Sequence, residues 1–338
     1  MPRSRVTIRD VAAHAGVSHQ TVSRVINNNE RVSPETRTLV EASIKELGYR
    51  PNAVARSMAR GRTCTLACIS PNLTDFTFAS IIEGAEAEVR KHEYFLVSSS
   101  APTEEEFSCL IEELFASRRA EGLFVINPHA DQRYNFLPPE APTVFVGARP
   151  RARGRVSSVA LDDIGVAHQA SQHLIELGHR RVAMITGPMK EDCSQDRCSG
   201  YEQALKDNSI NTDPDFVITG DWSATSGYQA FKELLKLPSP PTAIFAQNDR
   251  MAIGVLRAAR EMGIAVPDEL SVIGVDDMPL SSYFDPPLTT MRQDPISIGR
   301  EAARLLIDTV EKRLSTPKHV LLQAQLVQRQ STKPIFSR

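Results

Sequence analysis

No apolar run in this chain reaches the roughly 18 residues that a membrane-spanning helix requires. Cysteine is sparse and odd in number (Cys64, Cys68, Cys109, Cys193 and Cys198), without a paired C-x-x-C framework. Reduced thiols are therefore expected, and neither a disulfide scaffold nor a zinc site. The motifs G-x-x-x-x-G-K-[ST], G-x-S-x-G and H-E-x-x-H are all missing, which removes phosphate-loop, hydrolase and zincin chemistry. The acidic doublets Asp162-Asp163 and Asp276-Asp277 have the residue type of a glycosidase pair, but nothing else supplies such a site. No enzymatic activity, cofactor or metal is expected. Met1-Pro2-Arg3-Ser4-Arg5 lacks the apolar stretch of a secretion leader, so the expectation is a cytoplasmic, nucleoid-associated protein.

What is present begins with charge. Residues 1–62 hold eleven Lys/Arg against five Asp/Glu, a net of +6, and the remainder of the chain carries −8. A basic arm on an acidic body suits phosphate binding at one end only. Within that arm the helix signals are explicit. Thr7 with Asp10 forms a capping pair, Gly16 breaks the chain, Ser18 caps a helix from His19 to about Asn27, and Ser33-Pro34-Glu35 opens a third that Gly48 closes. Ile8, Val11, Ala12, Val17, Val22, Ile26, Leu39 and Leu47 are spaced to share a small core. His19, Gln20, Ser23, Arg24 and Asn27 are left on an open face of the second helix. Gln pairs with adenine and Arg with guanine through two hydrogen bonds each, so this helix is a candidate major-groove reader. Arg3, Arg5, Arg50, Arg56, Arg60 and Arg62 are candidate backbone or minor-groove contacts. Between Pro51 and Gly61, Asn52 can cap a helix over Ala53–Ala59 too short to be stable alone in water.

The rest of the chain has an α/β rhythm. Runs rich in Val, Ile and Phe recur at 65–70, 94–99, 122–127, 143–148, 158–162, 181–187, 216–221, 243–248 and 270–276. Helical periodicity fills most gaps, as at 79–92, 165–177 and 251–262. Such alternation implies doubly wound parallel sheets with ligands at the strands' carboxyl ends. Polar residues fall there, in GDWSATSG (220–227), AQND (246–249) and GVDD (274–277).

AHAGVSHQTVSRVIN followed by LGYRPNAVARSMARG resembles the DNA-binding headpiece and hinge of the lactose-repressor (LacI/GalR) family of bacterial transcription regulators. GHRRVAMITGP (178–188) and the polar strand ends extend the resemblance through almost the whole chain. It implies a helix-turn-helix headpiece over 1–50, a hinge over 51–62 and an effector-binding and dimerisation core over 63–338. The core would have a periplasmic-binding-protein-like form, with lobe 1 at about 63–161 and 293–322 and lobe 2 at about 162–292 and 323–338. The chain would cross near Leu161, near Met291–Gln293 and near Leu321–Gln323, and 324–332 would return as a last strand. Thr7, Ser18, Thr21, Arg31, Ser33, Asn52 and Ala55 join the open helix face as implied DNA contacts. Met58 stands where the family places a Leu that wedges into the minor groove.

For the effector, the resemblance implies Arg197, Trp222, Asn248 and Asp276 from the second lobe, and Asn72, Asp75 and Phe78 from PNLTDFTF in the first. Arg197 otherwise bridges the lobes, and Asn248 and Asp276 otherwise cap helices. GDWSA-x-SG is nearest to members whose Trp lines a galactoside site. Phe76, Thr77 and Gly147 depart from those members, which leaves the sugar open. His173 and His179 fit a structural HL-x-x-LGH pattern better than a metal site. The expected protein is a homodimeric repressor that binds palindromic operator DNA and is released by a sugar. A purine or phosphoprotein corepressor and a sugar-transport protein are the alternatives.

Overall fold

The computed structural model describes residues 6–27, 29, 31–49, 62–117, 119–129, 133–147 and 156–335. Two compact units follow one another, Met1–Cys64 and Thr65–Arg338.

The first unit contains α1 (Ile8–His14), α2 (His19–Ile26) and α3 (Pro34–Glu46). Thr7 and Asp10 cap α1 reciprocally, with the Thr7 amide donating to Asp10 Oδ2 at 2.7 Å. These bonds to Thr7 hold the Asp10 carboxyl below its usual range. Ser18 and Ser33 accept the amides of Thr21 and Thr36, and Gly16 turns the chain at φ 64°. The buried centre is Val11, Ala12, Ala15, Val22, Val25 and Val40. Leu39 is not part of it and stands 51% exposed. The inward stripe of α3 runs through Val40, Ser43, Ile44 and Leu47, and Leu39 sits one helical step off that stripe.

The second unit is a two-lobe α/β core, built on β1 (Thr65–Ser70), α4 (Phe76–Lys91), β2 (Phe95–Ser100), α5 (Glu104–Ala116), β3 (Gly122–Ile126), β4 (Thr143–Val146) and β5 (Ser157–Leu161). Then come α6 (Asp163–Glu176), β6 (Val182–Thr186), α7 (Asp192–Asp207), β7 (Val217–Thr219), α8 (Ala224–Leu234), β8 (Ala243–Ala246), α9 (Asp249–Glu261), β9 (Ser271–Asp276) and β10 (Thr289–Arg292). The chain closes with α10 (Pro295–Val310), β11 (His319–Leu322) and β12 (Gln325–Val327). One sheet has the order β11-β5-β4-β3-β1-β2, all parallel. The other has the order β12-β10-β9-β8-β6-β7, parallel except for β12. The chain thus passes between sheets after β5, after β10 and after β11.

Central strands such as β3, β6 and β8 are buried along their whole length, as sheets covered on both faces require. In the second lobe, α6 and α7 pack one face around Leu174, Tyr201 and Leu205, while α8 and α9 pack the other around Phe231, Met251 and Val255. Buried histidines tie the C-terminal segment to this lobe. His173 Nε2 lies 3.0 Å from Thr332 Oγ1, and His179 Nε2 lies 3.3 Å from the Lys333 carbonyl oxygen. Burial pushes both imidazoles down, the behaviour of structural histidines. No grouping of His, Cys, Asp and Glu among the described residues is arranged to hold a metal ion.

Several strands are shorter than the apolar runs suggest, and in one of them the last residues serve the next helix. The 243–248 run stops at Ala246, since Asn248 Oδ1 caps α9 through the Met251 amide at 2.8 Å. The 216–221 run narrows to Val217–Thr219. The acidic doublets also divide their work. Asp162 caps α6 while Asp163 pairs with Arg197; Asp277 pairs with Arg292 and Arg329 while Asp276 faces a cavity.

Candidate functional site

On the headpiece, His19, Gln20 and Arg24 are exposed along α2, with Gln20 and Arg24 one turn apart on the same side. Thr21 Oγ1 sits 2.9 Å from Ser18 Oγ, and Asn27 Nδ2 donates back to the Ser23 carbonyl at 2.9 Å. Thr7, Ser18 and Ser33 use their hydroxyls as caps, and the Arg31 amide donates to Asn29 Oδ1 at 2.9 Å. Asn52, Ala55 and Met58 lie outside the described residues, as do Arg3, Arg5, Arg50, Arg56 and Arg60.

In the core, the carboxyl ends of both sheets converge on a cavity of about 240 Å³. Asn72, Asp75, Phe78, Arg197, Trp222, Asn248 and Asp276 all line it, brought from the ends of β1, β7, β8 and β9 and from α4 and α7. The indole is the largest apolar wall. Its Nε1 donates to Glu191 Oε2 at 2.9 Å, and its carbonyl accepts from Asn248 Nδ2 at 3.1 Å. Gly187 lets the ring lie flat against β6: an added Cβ would come within 2.1 Å of the indole. The guanidinium of Arg197 stands 5.9 Å from the ring centroid, within cation–π range.

Trp222 has φ 70°, Asp276 φ 128° and Asp277 φ 57°, and Gly147 on the opposite wall has φ 85°. A tryptophan in the left-handed region is costly, and such strain persists where surrounding contacts hold it, commonly at ligand sites.

Sequence reasoning missed several wall residues: Asp163, Glu191, Arg250, Gln293 and His129. Asp163 Oδ1 accepts from Arg197 Nε at 2.8 Å, both buried, and Arg197 also donates to the Gln247 carbonyl. The Arg197 ion pair therefore lies within one lobe. The bridge between lobes is Arg250 Nη2 to Asp75 Oδ2 at 2.6 Å, joined by the Asp192 amide donating to the Pro128 carbonyl at 3.0 Å. The doublet after β5 was the available signal for Asp163; nothing in the sequence marks Glu191 or Arg250.

Burial raises the Glu191 and Asp163 carboxyls. It also pushes Asp276 up to about 7 and its neighbour Asp249 up to about 6, each aided by repulsion from nearby carboxylates. Arg197 and the Gln293 amide, which donates to Asp276 Oδ1 at 2.6 Å, pull Asp276 the other way. A carboxyl whose folded pKa is raised binds more protons folded than unfolded, so its stabilisation is lost as pH rises through the folded value. His173 and His179 act in the opposite sense below about pH 6.5. The raised carboxyls are therefore expected to draw stability down as pH rises between about 4 and 7, and Asp276→Asn should flatten that component. Denaturation midpoints across this range provide the check; an identical slope in the variant would remove Asp276 as the cause.

Residues 7–52 match the model for bacterial regulatory proteins of the lacI family, and residues 171–332 match a periplasmic binding protein-like domain. The chain is 33% identical to the HTH-type transcriptional repressor CytR of Escherichia coli K12 over 334 residues, covering 97% of both. It is 36% identical to the HTH-type transcriptional regulator CelR of Thermobifida fusca, covering 97% of this chain and 99% of that one. Among solved structures it superposes on the lac repressor dimer bound to operator and the anti-inducer ONPF with a TM-score of 0.90, at 31% identity, over 98% of this chain and 100% of that one. A CelR–cellobiose complex gives a TM-score of 0.74 at 34% identity, over 97% and 100%.

Proposed function

The chain belongs to the lacI family of bacterial regulatory proteins, and from that premise we propose a sequence-specific DNA-binding transcriptional repressor controlled by a small-molecule effector, a sugar or glycoside. Residues 1–50 read the operator, 51–62 form the hinge, and 63–338 bind effector and dimerise. The observation that carries the effector reading is the cavity between the sheets, where one indole face meets a rim of carboxylates and amides. An aromatic face suits the C–H side of a pyranose, and the rim suits its hydroxyls.

A homodimer follows from the task, because two headpieces must be held about one turn of DNA apart to read a palindrome. The edge strand β2 supports this reading with Phe95 73% exposed and Val97 beside it, as does the 280–283 turn with Tyr283 83% exposed. An apolar edge left open on a monomer invites association. The repressor acts on the chromosome, in the cytoplasm. Effector and operator favour different arrangements of the lobes, so each weakens binding of the other by the same factor. The relatives named above are regulators, and the chain is read as a regulator and not as an enzyme.

Selection of operator sequences from a random DNA pool, followed by titration with and without sugars, tests the whole reading. Release by a sugar supports induction, whereas tighter binding would make the ligand a corepressor. Arg24→Ala should cost about 1–3 kcal/mol on the selected operator and little on random DNA. Equal losses on both would rule out Arg24 as a base reader.

A further inference from the structure

The cavity wall carries four carboxylates, Asp75, Asp163, Glu191 and Asp276, and two guanidiniums, Arg197 and Arg250. Both guanidiniums are already engaged. Arg197 is held by Asp163 and the Gln247 carbonyl, and Arg250 by Asp75. Glu191 and Asp276 form no salt bridge with any described residue. Glu191 accepts from Trp222 Nε1 and, at 4.0 Å, from the Cys193 thiol, and Asp276 accepts from Gln293 Nε2, all of them uncharged donors. The groups left facing the cavity are therefore dominated by acceptor oxygens, each carboxylate having about four acceptor sites.

We propose that this cleft takes an uncharged, hydroxyl-rich ligand and rejects its phosphorylated or carboxylated counterparts, with Glu191 as the residue that sets this selectivity. The inference rests on the reading of the cleft as the effector site and narrows it to a ligand class. Hydroxyls donate to Glu191 and Asp276 without adding charge. A phosphate or carboxylate would bring acceptors against acceptors and a further negative charge beside two carboxylates in a half-buried site, where screening is weak. An anion could still meet the remaining N–H donors of Arg197 and Arg250, but each guanidinium already shares its charge with a carboxylate, so the wall offers it no uncompensated cation among the described guanidiniums.

The chain contains one tryptophan, so indole fluorescence reports on the cavity directly. The probes are hexoses, disaccharides and nucleosides, each titrated beside its phosphate and, for the hexoses, its uronate. The expected result is saturation by at least one neutral compound, with its phosphate and uronate at least a hundredfold weaker. A phosphate also adds bulk, so the comparison is repeated in Glu191→Gln, which keeps an acceptor for the indole N–H. The variant should narrow the gap between neutral and anionic ligands at least tenfold. A gap unchanged by the variant would remove Glu191 from the selectivity. A phosphate or uronate binding as tightly as its neutral parent would overturn the inference while leaving an effector-controlled repressor standing. Silence of every neutral compound, with operator binding intact, would overturn both the inference and the sugar reading.

Discussion

Replacing Asp163 with Ala is expected to cost about 3–5 kcal/mol of core stability, because it leaves the Arg197 guanidinium buried without its ion-pair partner, with the Gln247 carbonyl as its remaining hydrogen bond among the described residues. Burial raises the Asp163 carboxyl against the pull of Arg197, so the pair is not a source of large net stability. Arginine, however, stays protonated in a protein interior, so the carboxylate is the counter-ion that the fold requires. Asp163→Asn keeps an acceptor and should cost less. The double change Asp163→Leu with Arg197→Met removes both charges and should recover much of the loss in stability, while altering the cavity. Chemical denaturation of the four proteins measures these differences. An Asp163→Ala protein within about 1 kcal/mol of the parent would mean that the guanidinium finds solvent or another partner.

Trp222→Ala is expected to abolish the effector response and to leave operator binding nearly unchanged. The side chain supplies the apolar wall, donates to Glu191 and sits on a backbone at φ 70° that alanine does not relax. Trp222→Phe separates the contributions: it keeps a ring face but leaves Glu191 without its indole donor. If stacking dominates, Phe retains most of the response; if the Glu191 bond dominates, Phe behaves like Ala. Effector-dependent release of operator is the readout. Full induction in the Ala variant would show that the ligand binds elsewhere.

Local signals were legible in the sequence, and distant pairings were not. The headpiece caps at Thr7, Ser18 and Ser33 could be read because each acts on an amide three residues away. The strand ends could be read because polar residues after an apolar run mark the side of a parallel sheet where ligands gather. Leu39 misled because leucine and valine are adjacent, and only the packing of α1 and α2 selects Val40. Glu191 was invisible because its meaning comes from Trp222, 31 residues further along, and Asp75–Arg250 spans 175 residues. Asn248 was legible as a wall residue, yet both ends of its amide already serve α9 and the Trp222 carbonyl.

The three passages between sheets also bear on how the protein is made. The first lobe lacks its edge strand until Leu322 has been synthesised, and α10, from 295–310, must return to pack on α4. The second lobe still needs Ser331, whose hydroxyl bonds the Val272 carbonyl and accepts the Thr289 amide at 2.7 Å. The headpiece contacts described above all fall between residues 6 and 49. As the nascent chain leaves the ribosome, short-range contacts close first and long-range ones wait for their partners. The helix face proposed to meet DNA is thus complete long before either half of the cleft, and the proposed reader exists for a time without its regulator.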